Sequence, residues 1–175
     1  MPQFLLGDQG GSSVAALVIS IVDADLAEGE HERALVALVD AYARDPMGGG
    51  HALSAVVRET MVAGLRRAGN ALVLLAYVDE APVGVAVCFV GYSTFAARPL
   101  INVHDLAVLP AHRQRGVGTA LLAAVEARAL ARGCCKITLE VRDDNEPARR
   151  LYGRFGLGPV RRMAFWEKFL AGDIT

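Results

Sequence analysis

The sequence predicts an α/β fold in which a mixed β-sheet is covered by helices on both faces. Apolar, strand-like runs alternate along the chain with segments whose apolar residues recur at the spacing of a helix. Two of these runs are joined by Asp79, Glu80, Ala81 and Pro82 alone, and so short a connection favours an antiparallel pair. With 175 residues and no internal repeat, the chain is expected to form a single domain over residues 1–175.

Six strands are predicted from runs that are rich in β-branched and other apolar residues. The first run ends at acidic residues typical of a turn, and the second and third are apolar enough to be central strands. Pro110 stops the fourth strand. The predicted strands are residues 14–22, 71–78, 83–92, 100–108, 136–141 and 163–169.

Four helices are predicted between these strands, at about residues 30–44, 53–69, 117–133 and 145–155. The first two follow each other closely and are expected to form a helical hairpin. Asp45 and Pro46 end the first of them, because the residue before a proline disfavours helical geometry. One face of this first helix is expected to consist of Leu35, Leu38, Val39 and Tyr42.

The composition excludes several classes of protein. The chain is 53% hydrophobic and 21% charged, with a net charge of -1, which argues against disorder and against nucleic-acid binding. Its longest apolar runs fall well short of the roughly 20 residues needed to span a membrane. Residues 1–13 lack the pattern of a secretory signal and are expected to be a loose terminus, so a cytoplasmic location is predicted. Cys88, Cys134 and Cys135 lack zinc-site spacing and are predicted to be reduced thiols.

A glycine-containing segment, residues 113–118, lies between a predicted strand and the start of a predicted helix. We call it the glycine loop. The first amides of a helix have no partner within it, and the helix dipole attracts negative charge, so a phosphate can bind there. The loop is not a P-loop, because Thr119 and Ala120 stand where Lys and Ser or Thr are needed. It also departs from the dinucleotide-binding pattern, which requires a small residue at the position of Leu121.

The neighbours of the loop carry a family pattern. Arg113 precedes Gly116 by three residues, Gly118 follows, and the strand before the loop ends in Asp105, Leu106, Ala107 and Val108. Further on stand Asn145, Ala148, Leu151, Tyr152 and Gly156, with Leu157 where the family has Phe. Over about residues 71–169 the chain therefore resembles the GNAT superfamily of acetyl-CoA-dependent N-acetyltransferases.

The resemblance implies a GNAT-like, largely antiparallel sheet of six to seven strands. It also implies acetyl-CoA as the acetyl donor, a pyrophosphate held by the glycine loop, and no metal. Tyr152 would be the acid that protonates the leaving thiolate, while Asn145 would bind the coenzyme or only cap its helix. The residues implied to bind the coenzyme are Leu106, Ala107, Val108, Arg113, Gln114, Arg115, Gly116, Val117, Gly118, Thr119, Asn145 and Tyr152.

An amine must lose a proton before it can attack a thioester, so a base is also required. We favour His104, since an imidazole can accept a proton near neutral pH and diamine acetyltransferases, which are similar here, carry Glu at this position. Asp105, Glu140 or a chain of waters remain alternatives. His104 and Asp105 are consecutive in a strand, so they face opposite sides of the sheet unless a bulge intervenes.

The acceptor is expected to be a primary amine of a small molecule, a polyamine or a peptide. The segments expected to select it are the helical hairpin, the loop at 45–51 that contains His51, and the loop at 93–99. The resemblance also implies a homodimer. A non-catalytic acyl-CoA sensor is the alternative function.

Overall fold

The computed structural model describes residues 18–160, 166 and 168. In this part of the chain the sheet has five strands: β1 (Ile19–Asp23), β2 (Ala71–Val78), β3 (Ala81–Ser93), β4 (Arg98–Val108) and β5 (Ile137–Leu139). Their order in the sheet is β1-β2-β3-β4-β5. The pairs β1–β2, β2–β3 and β3–β4 are antiparallel, and β5 runs parallel to β4.

A mixed, largely antiparallel sheet is confirmed, but six to seven strands is too many for the described residues. The strand predicted at 163–169 lies outside them except at two positions. The strand predicted at 136–141 is only three residues long, because Glu140 and Val141 leave the sheet and are exposed. Residues 14–17 of the first predicted strand also lie outside the described part.

The β2–β3 hairpin is tighter than predicted. Its turn consists of Asp79 and Glu80 alone, both with positive φ (48° and 64°), which is the backbone twist that suits a two-residue hairpin. Ala81 and Pro82 belong to β3 instead of the turn. Pro82 is accommodated because the β2–β3 register shifts beside its partner Tyr77.

The four predicted helices are confirmed, with ends shifted by up to two residues. Ser54 caps the second by accepting a hydrogen bond from the amide of Val57 (3.3 Å), which leaves Leu53 outside it. Gly69 ends that helix in the left-handed conformation (φ 71°). The helices are α1 (Gly29–Arg44), α2 (Ala55–Ala68), α3 (Val117–Ala131) and α4 (Glu146–Arg154). None of the described helices is long and apolar enough to cross a membrane.

The sheet has a packed core on each face. On one face α3 places Leu121 and Val125 against β2, β3 and β4. On the other, α1 and α2 place Leu35, Leu38 and Val62 against Leu75 and Val85. Each such fully buried side chain contributes about 1.5–3 kcal/mol. Helices on both faces are thus confirmed, and the two cores fix β4 between α1 and α3.

Candidate active site

The glycine loop joins β4 to α3 with a strained backbone. A short 3₁₀ turn, Pro110–His112, follows β4, and Gln114 and Gly116 then take positive φ (60° and 89°). Gly116 occupies the cap position of α3, and no side chain among the described residues caps this helix or places an acid in its first turn. The first amides of α3 can therefore bind an anion.

Gly118 allows two helices to pack closely together. A Cβ at this position would stand 3.0 Å from Leu151 Cδ2 of α4 and 4.0 Å from Val108 Cγ2. Its missing side chain therefore permits the close approach of α4 to α3. This packing brings α4, and with it Tyr152, next to the glycine loop.

Beyond the glycine loop, β4 offers an open backbone edge. It pairs with β5 at Ile101, Asn102 and Val103 only, while its pairing with β3 continues to Val108. Among the described residues, the β5 side of 104–108 has no strand partner. Such an edge can bind the amide groups of an extended ligand as a further strand would. The predicted coenzyme residues Leu106, Ala107 and Val108 lie on it.

A β-bulge determines where His104 and Asp105 point. Asp105 pairs with Val87 but Val103 pairs with Cys88, so His104 is an extra residue in β4. Asp105 therefore lies on the α1 face with Val87. The His104 ring meets the edge of Phe89 on the same face, at 5.6 Å between centroids and 76° between planes. The bulge thus places both residues on the α1 side of the sheet.

These two residues form a polar cluster with Tyr42 of α1 and Tyr152 of α4. Burial raises the pKa of Asp105, and the nearby His104 charge partly opposes this. Burial, and then the charge of Asp105, raise the pKa of Tyr42. Burial, followed by the proximity of Tyr42, raises the pKa of Tyr152 to about 12. The cluster therefore combines a carboxylate that accepts protons more readily than usual with a phenol that keeps its proton at neutral pH.

Asn145 caps α4. Its side-chain oxygen accepts a hydrogen bond from the amide of Ala148 (3.2 Å), which satisfies one of the first amides of the helix. This is one of the two roles expected of it, and it fixes the helix that carries Tyr152.

Two other candidate residues, Glu140 and His51, make hydrogen bonds within the protein. Glu140 accepts a hydrogen bond from Asn102 (3.4 Å), two residues before His104. His51 Nδ1 lies 2.7 Å from the carbonyl oxygen of Gly49 in its own loop.

Cys88 is buried in the core, and burial raises the pKa of its thiol to about 12, so the thiol stays protonated. The three cysteines are free, as predicted.

The side chain of Arg113 is engaged within the protein. It donates to the carbonyl oxygen of Val108 (2.9 Å) and to a carboxylate oxygen of Asp45 (2.7 Å). Sequence reasoning treated Asp45 as part of a helix stop and Tyr42 as an apolar-face residue, and so missed both. The sequence did contain one indication of the Asp45 contact. An acid at the C-terminal end of a helix is disfavoured by the helix dipole, so a cation is expected near it.

A family model described as the acetyltransferase (GNAT) family matches residues 35–157. The chain belongs to the GNAT family. The match begins in α1 and ends after α4, so it includes the polar cluster and the glycine loop.

The GNAT domain has curated relatives that it matches over part of their length. The thialysine N-epsilon-acetyltransferases of Mus musculus and Bos taurus are each 32% identical over 87 residues, which is 50% of this chain and 51% of each relative. The chain thus spans about half the length of the curated relatives it matches.

Solved structures share the fold. One is aminoglycoside acetyltransferase AAC(6')-Iy in complex with the bisubstrate analogue CoA-S-monomethyl-acetylneamine (TM-score 0.71, 18% identity, 87% of this chain and 99% of that one). Another is a ribosomal-protein-alanine N-acetyltransferase from Brucella melitensis biovar Abortus 2308 (TM-score 0.69, 20% identity, 87% and 100%). At these identities they show the GNAT fold alone.

Proposed function

We propose that this protein is an N-acetyltransferase that transfers acetyl from acetyl-CoA directly to a primary amine. The observation that carries the proposal is the alignment of three features along β4: the uncapped start of α3, the open edge of residues 104–108, and the polar cluster. A coenzyme extended along that edge would reach from the glycine loop to the cluster. Acetyl-CoA supplies an activated thioester whose carbonyl carbon an amine can attack.

The described residues fit the coenzyme. The left-handed Gly116 and the uncapped first turn of α3, from Val117 to Thr119, can bind a pyrophosphate through backbone amides. Leu106, Ala107 and Val108 supply the backbone edge for the pantetheine part, and amides there can polarise the thioester carbonyl. Gln114 and Arg115 lie within the loop and are exposed, so they can meet the outer phosphate groups. The fit needs no metal ligand.

The proton of the attacking amine would go to the bulge of β4. His104 and Asp105 lie on one face there, close enough that the charge of His104 opposes the effect of burial on the pKa of the Asp105 carboxyl. We propose His104 as the base, with Asp105 orienting the ammonium group before its deprotonation. Replacement by Gln and Asn respectively separates these roles, because loss of the base lowers kcat and loss of the orienting carboxylate raises the KM of the amine.

Tyr152 would return a proton to the leaving thiolate. Its phenol remains protonated at neutral pH, because its pKa is about 12. The Asn145 cap and the contact of Leu151 with Gly118 hold its helix beside the start of α3. This arrangement supports an acid role at the thiol end of the coenzyme.

The acceptor is proposed to be a small or peptide-borne primary amine that carries positive charge. The carboxylate of Asp105 on the acceptor side of β4 attracts an ammonium group. The matched relatives named for thialysine, and the aminoglycoside-modifying structure, both concern amines. A cytoplasmic location and a homodimer remain predictions of the sequence.

The test is a pair of substitutions in the first turn of α3. Thr119 is exposed at the third helical position, where an acid favours the helix by about 0.3–1 kcal/mol. Thr119→Glu should therefore fold at least as well as wild type, yet lose CoA affinity roughly 30-fold or more, since like charges in contact cost several kcal/mol. Thr119→Gln is the neutral control and should bind CoA.

Calorimetry with CoA, and thiol release over a panel of lysine analogues, polyamines, aminoglycosides and peptide amines, would provide the readouts. Equal CoA affinity in the Thr119→Glu and Thr119→Gln variants would contradict the pyrophosphate site. Tight CoA binding by wild type with no turnover on any amine would favour the non-catalytic sensor instead.

A further inference from the structure

The loop that follows α1 is held together by the main-chain oxygens of Ala43 and Asp45 and by the Asp45 carboxylate. Asp45 accepts a hydrogen bond from the amide of Met47 (2.8 Å) through Oδ1 and from Arg113 (2.7 Å) through Oδ2. Its main-chain oxygen accepts bonds from the amides of Gly48 (2.8 Å) and Gly50 (3.2 Å). Gly49 and His51 donate to the carbonyl oxygen of Ala43 (3.0 and 3.1 Å). Every amide of residues 47–51 is thus bonded within this segment.

The same carboxylate reaches the glycine loop. Arg113 uses Nε on the carbonyl oxygen of Val108 and a terminal nitrogen on Asp45, so one guanidinium bridges the end of β4 and the end of α1. The side chain of Asp45 is only 12% exposed. The carboxylate therefore has little access to water, and removal of its cation is costly for it, although the Arg113 side chain itself is 46% exposed.

The bridge also reaches the polar cluster. The amide of Asp45 donates to the carbonyl oxygen of Tyr42 (2.9 Å). A Cβ at Gly48 would overlap that same carbonyl oxygen, so the loop packs directly under the last turn of α1. A displacement of Asp45 would therefore move Tyr42, which lies beside Asp105 and Tyr152.

We infer that the Asp45–Arg113 ion pair couples the coenzyme site to the acceptor loop, residues 45–51, and that Arg113 is a positioning residue and not a phosphate ligand. This inference rests on the proposed function. Binding of CoA to the glycine loop would restrain Arg113, and through Asp45 it would stabilise the acceptor loop. CoA and the amine would then bind cooperatively, each favouring the conformation that the other requires.

Hydrogen exchange tests the coupling without any acceptor. In wild type, saturating CoA should slow exchange of the amides of residues 47–51 by roughly threefold or more, the scale of a modest coupling between sites. Asp45→Asn retains the acceptor for the Met47 amide but loses the charge, and Arg113→Gln removes the cation. Both variants should still bind CoA within about threefold of wild type, while CoA no longer slows exchange of the loop.

Arg128→Gln is the matched control. Arg128 forms another ion pair between distant segments, donating twice to Asp23 (2.9 and 2.7 Å) at the junction of β1 and α3. Its loss should lower the melting temperature and leave the effect of CoA on residues 47–51 unchanged.

The outcomes separate this inference from the proposed function. Retention of the CoA effect in Asp45→Asn, or its absence in wild type that binds CoA, would overturn the coupling alone. A loss of CoA affinity of tenfold or more in Arg113→Gln but not in Asp45→Asn would instead make Arg113 a phosphate ligand. Failure of wild type to bind CoA would overturn both proposals.

Discussion

The coenzyme side and the acceptor side of the site are built by different means. On the coenzyme side, residues 106–119 offer backbone: an open strand edge, a left-handed glycine and the uncapped first turn of α3. On the acceptor side, the polar cluster of Tyr42, His104, Asp105 and Tyr152 offers titratable side chains, of which the acid and both phenols have pKa values raised chiefly by burial. Backbone sites are sensitive to conformation, whereas side-chain sites are sensitive to charge and burial.

The two sides are expected to contribute differently to substrate selection. Backbone amides bind a pyrophosphate whatever is attached to it, because their geometry is the same for every phosphate ligand. A carboxylate and phenols at the end of the coenzyme site can discriminate among amines by charge and shape. We therefore expect substitutions that alter the backbone of the coenzyme side to change CoA affinity, and those in the cluster to change turnover and amine selection.

The largest expected effect is that of Tyr152→Phe. Removal of the acid should lower kcat about 100-fold or more, with CoA affinity unchanged, since acid catalysis contributes roughly 10²–10⁴-fold. The matched control is Tyr77→Phe, the same chemical change in β2, where burial and the nearby Glu30 and Glu28 raise the pKa of a different tyrosine. Steady-state kinetics on any amine found in the panel would measure both. A kcat equal to wild type would remove Tyr152 from the acid role.

Two glycine substitutions test the coenzyme side and the acceptor side separately. Gly116→Ala places a side chain at φ 89°, a conformation that costs an L-residue about 1–2 kcal/mol, so CoA affinity should fall roughly tenfold. Gly48→Ala brings a methyl group into the carbonyl oxygen of Tyr42, so the acceptor loop must shift and the KM of the amine should rise.

Each glycine variant is the control for the other. CoA affinity should respond mainly to Gly116→Ala and the KM of the amine mainly to Gly48→Ala, while coupling through Asp45 and Arg113 gives each variant a smaller effect on the other quantity. Equal changes of both quantities in both variants would contradict a division into a coenzyme side and an acceptor side.

The smallest expected effect concerns the stability cost of Asp105. Burial raises the pKa of the Asp105 carboxyl in the folded protein above its value in the unfolded chain. The stability that this group contributes is therefore fully present below the unfolded pKa, and it is lost as the pH rises through the folded pKa. Asp105→Asn should therefore raise the melting temperature at pH 7 by roughly 2–4 °C, the shift that about 1 kcal/mol produces in a chain of this size. Scanning calorimetry from pH 3 to 8 would show the gain disappearing at acid pH.

The pKa of Asp45, in the same site, is shifted in the direction opposite to that of Asp105. Its pKa is lowered, first by the hydrogen bond from Arg113 and then by the amide of Met47. Its stabilisation is present above the unfolded pKa and is lost as pH falls through the folded one. Asp45→Asn should consequently destabilise at pH 7, so a gain in melting temperature in both Asn variants would contradict the contrast between the two carboxylates.

Much of the fold follows from local patterns. Apolar spacing places all four helices, and the turn at Asp79 and Glu80 sets the antiparallel hairpin. The strand ends were less predictable: Pro82 lies inside β3 because a register shift accommodates it, and β5 stops at Leu139 because the chain leaves the sheet there. These boundaries depend on pairing between strands, which a single segment does not encode.

The glycine loop and the helix after it follow from the sequence alone, because each depends on residues within a few positions of one another. For Asn145 the sequence allowed a cap or a coenzyme contact, and the structure shows the cap. The tertiary structure decided the rest of the site. The bulge brings His104 and Asp105 to one face, and Asp45 meets Arg113 across 68 positions of sequence. Ion pairs, buried charges and altered pKa values depend on distances in space, and only the packing of α1 and α4 around β4 fixes those distances.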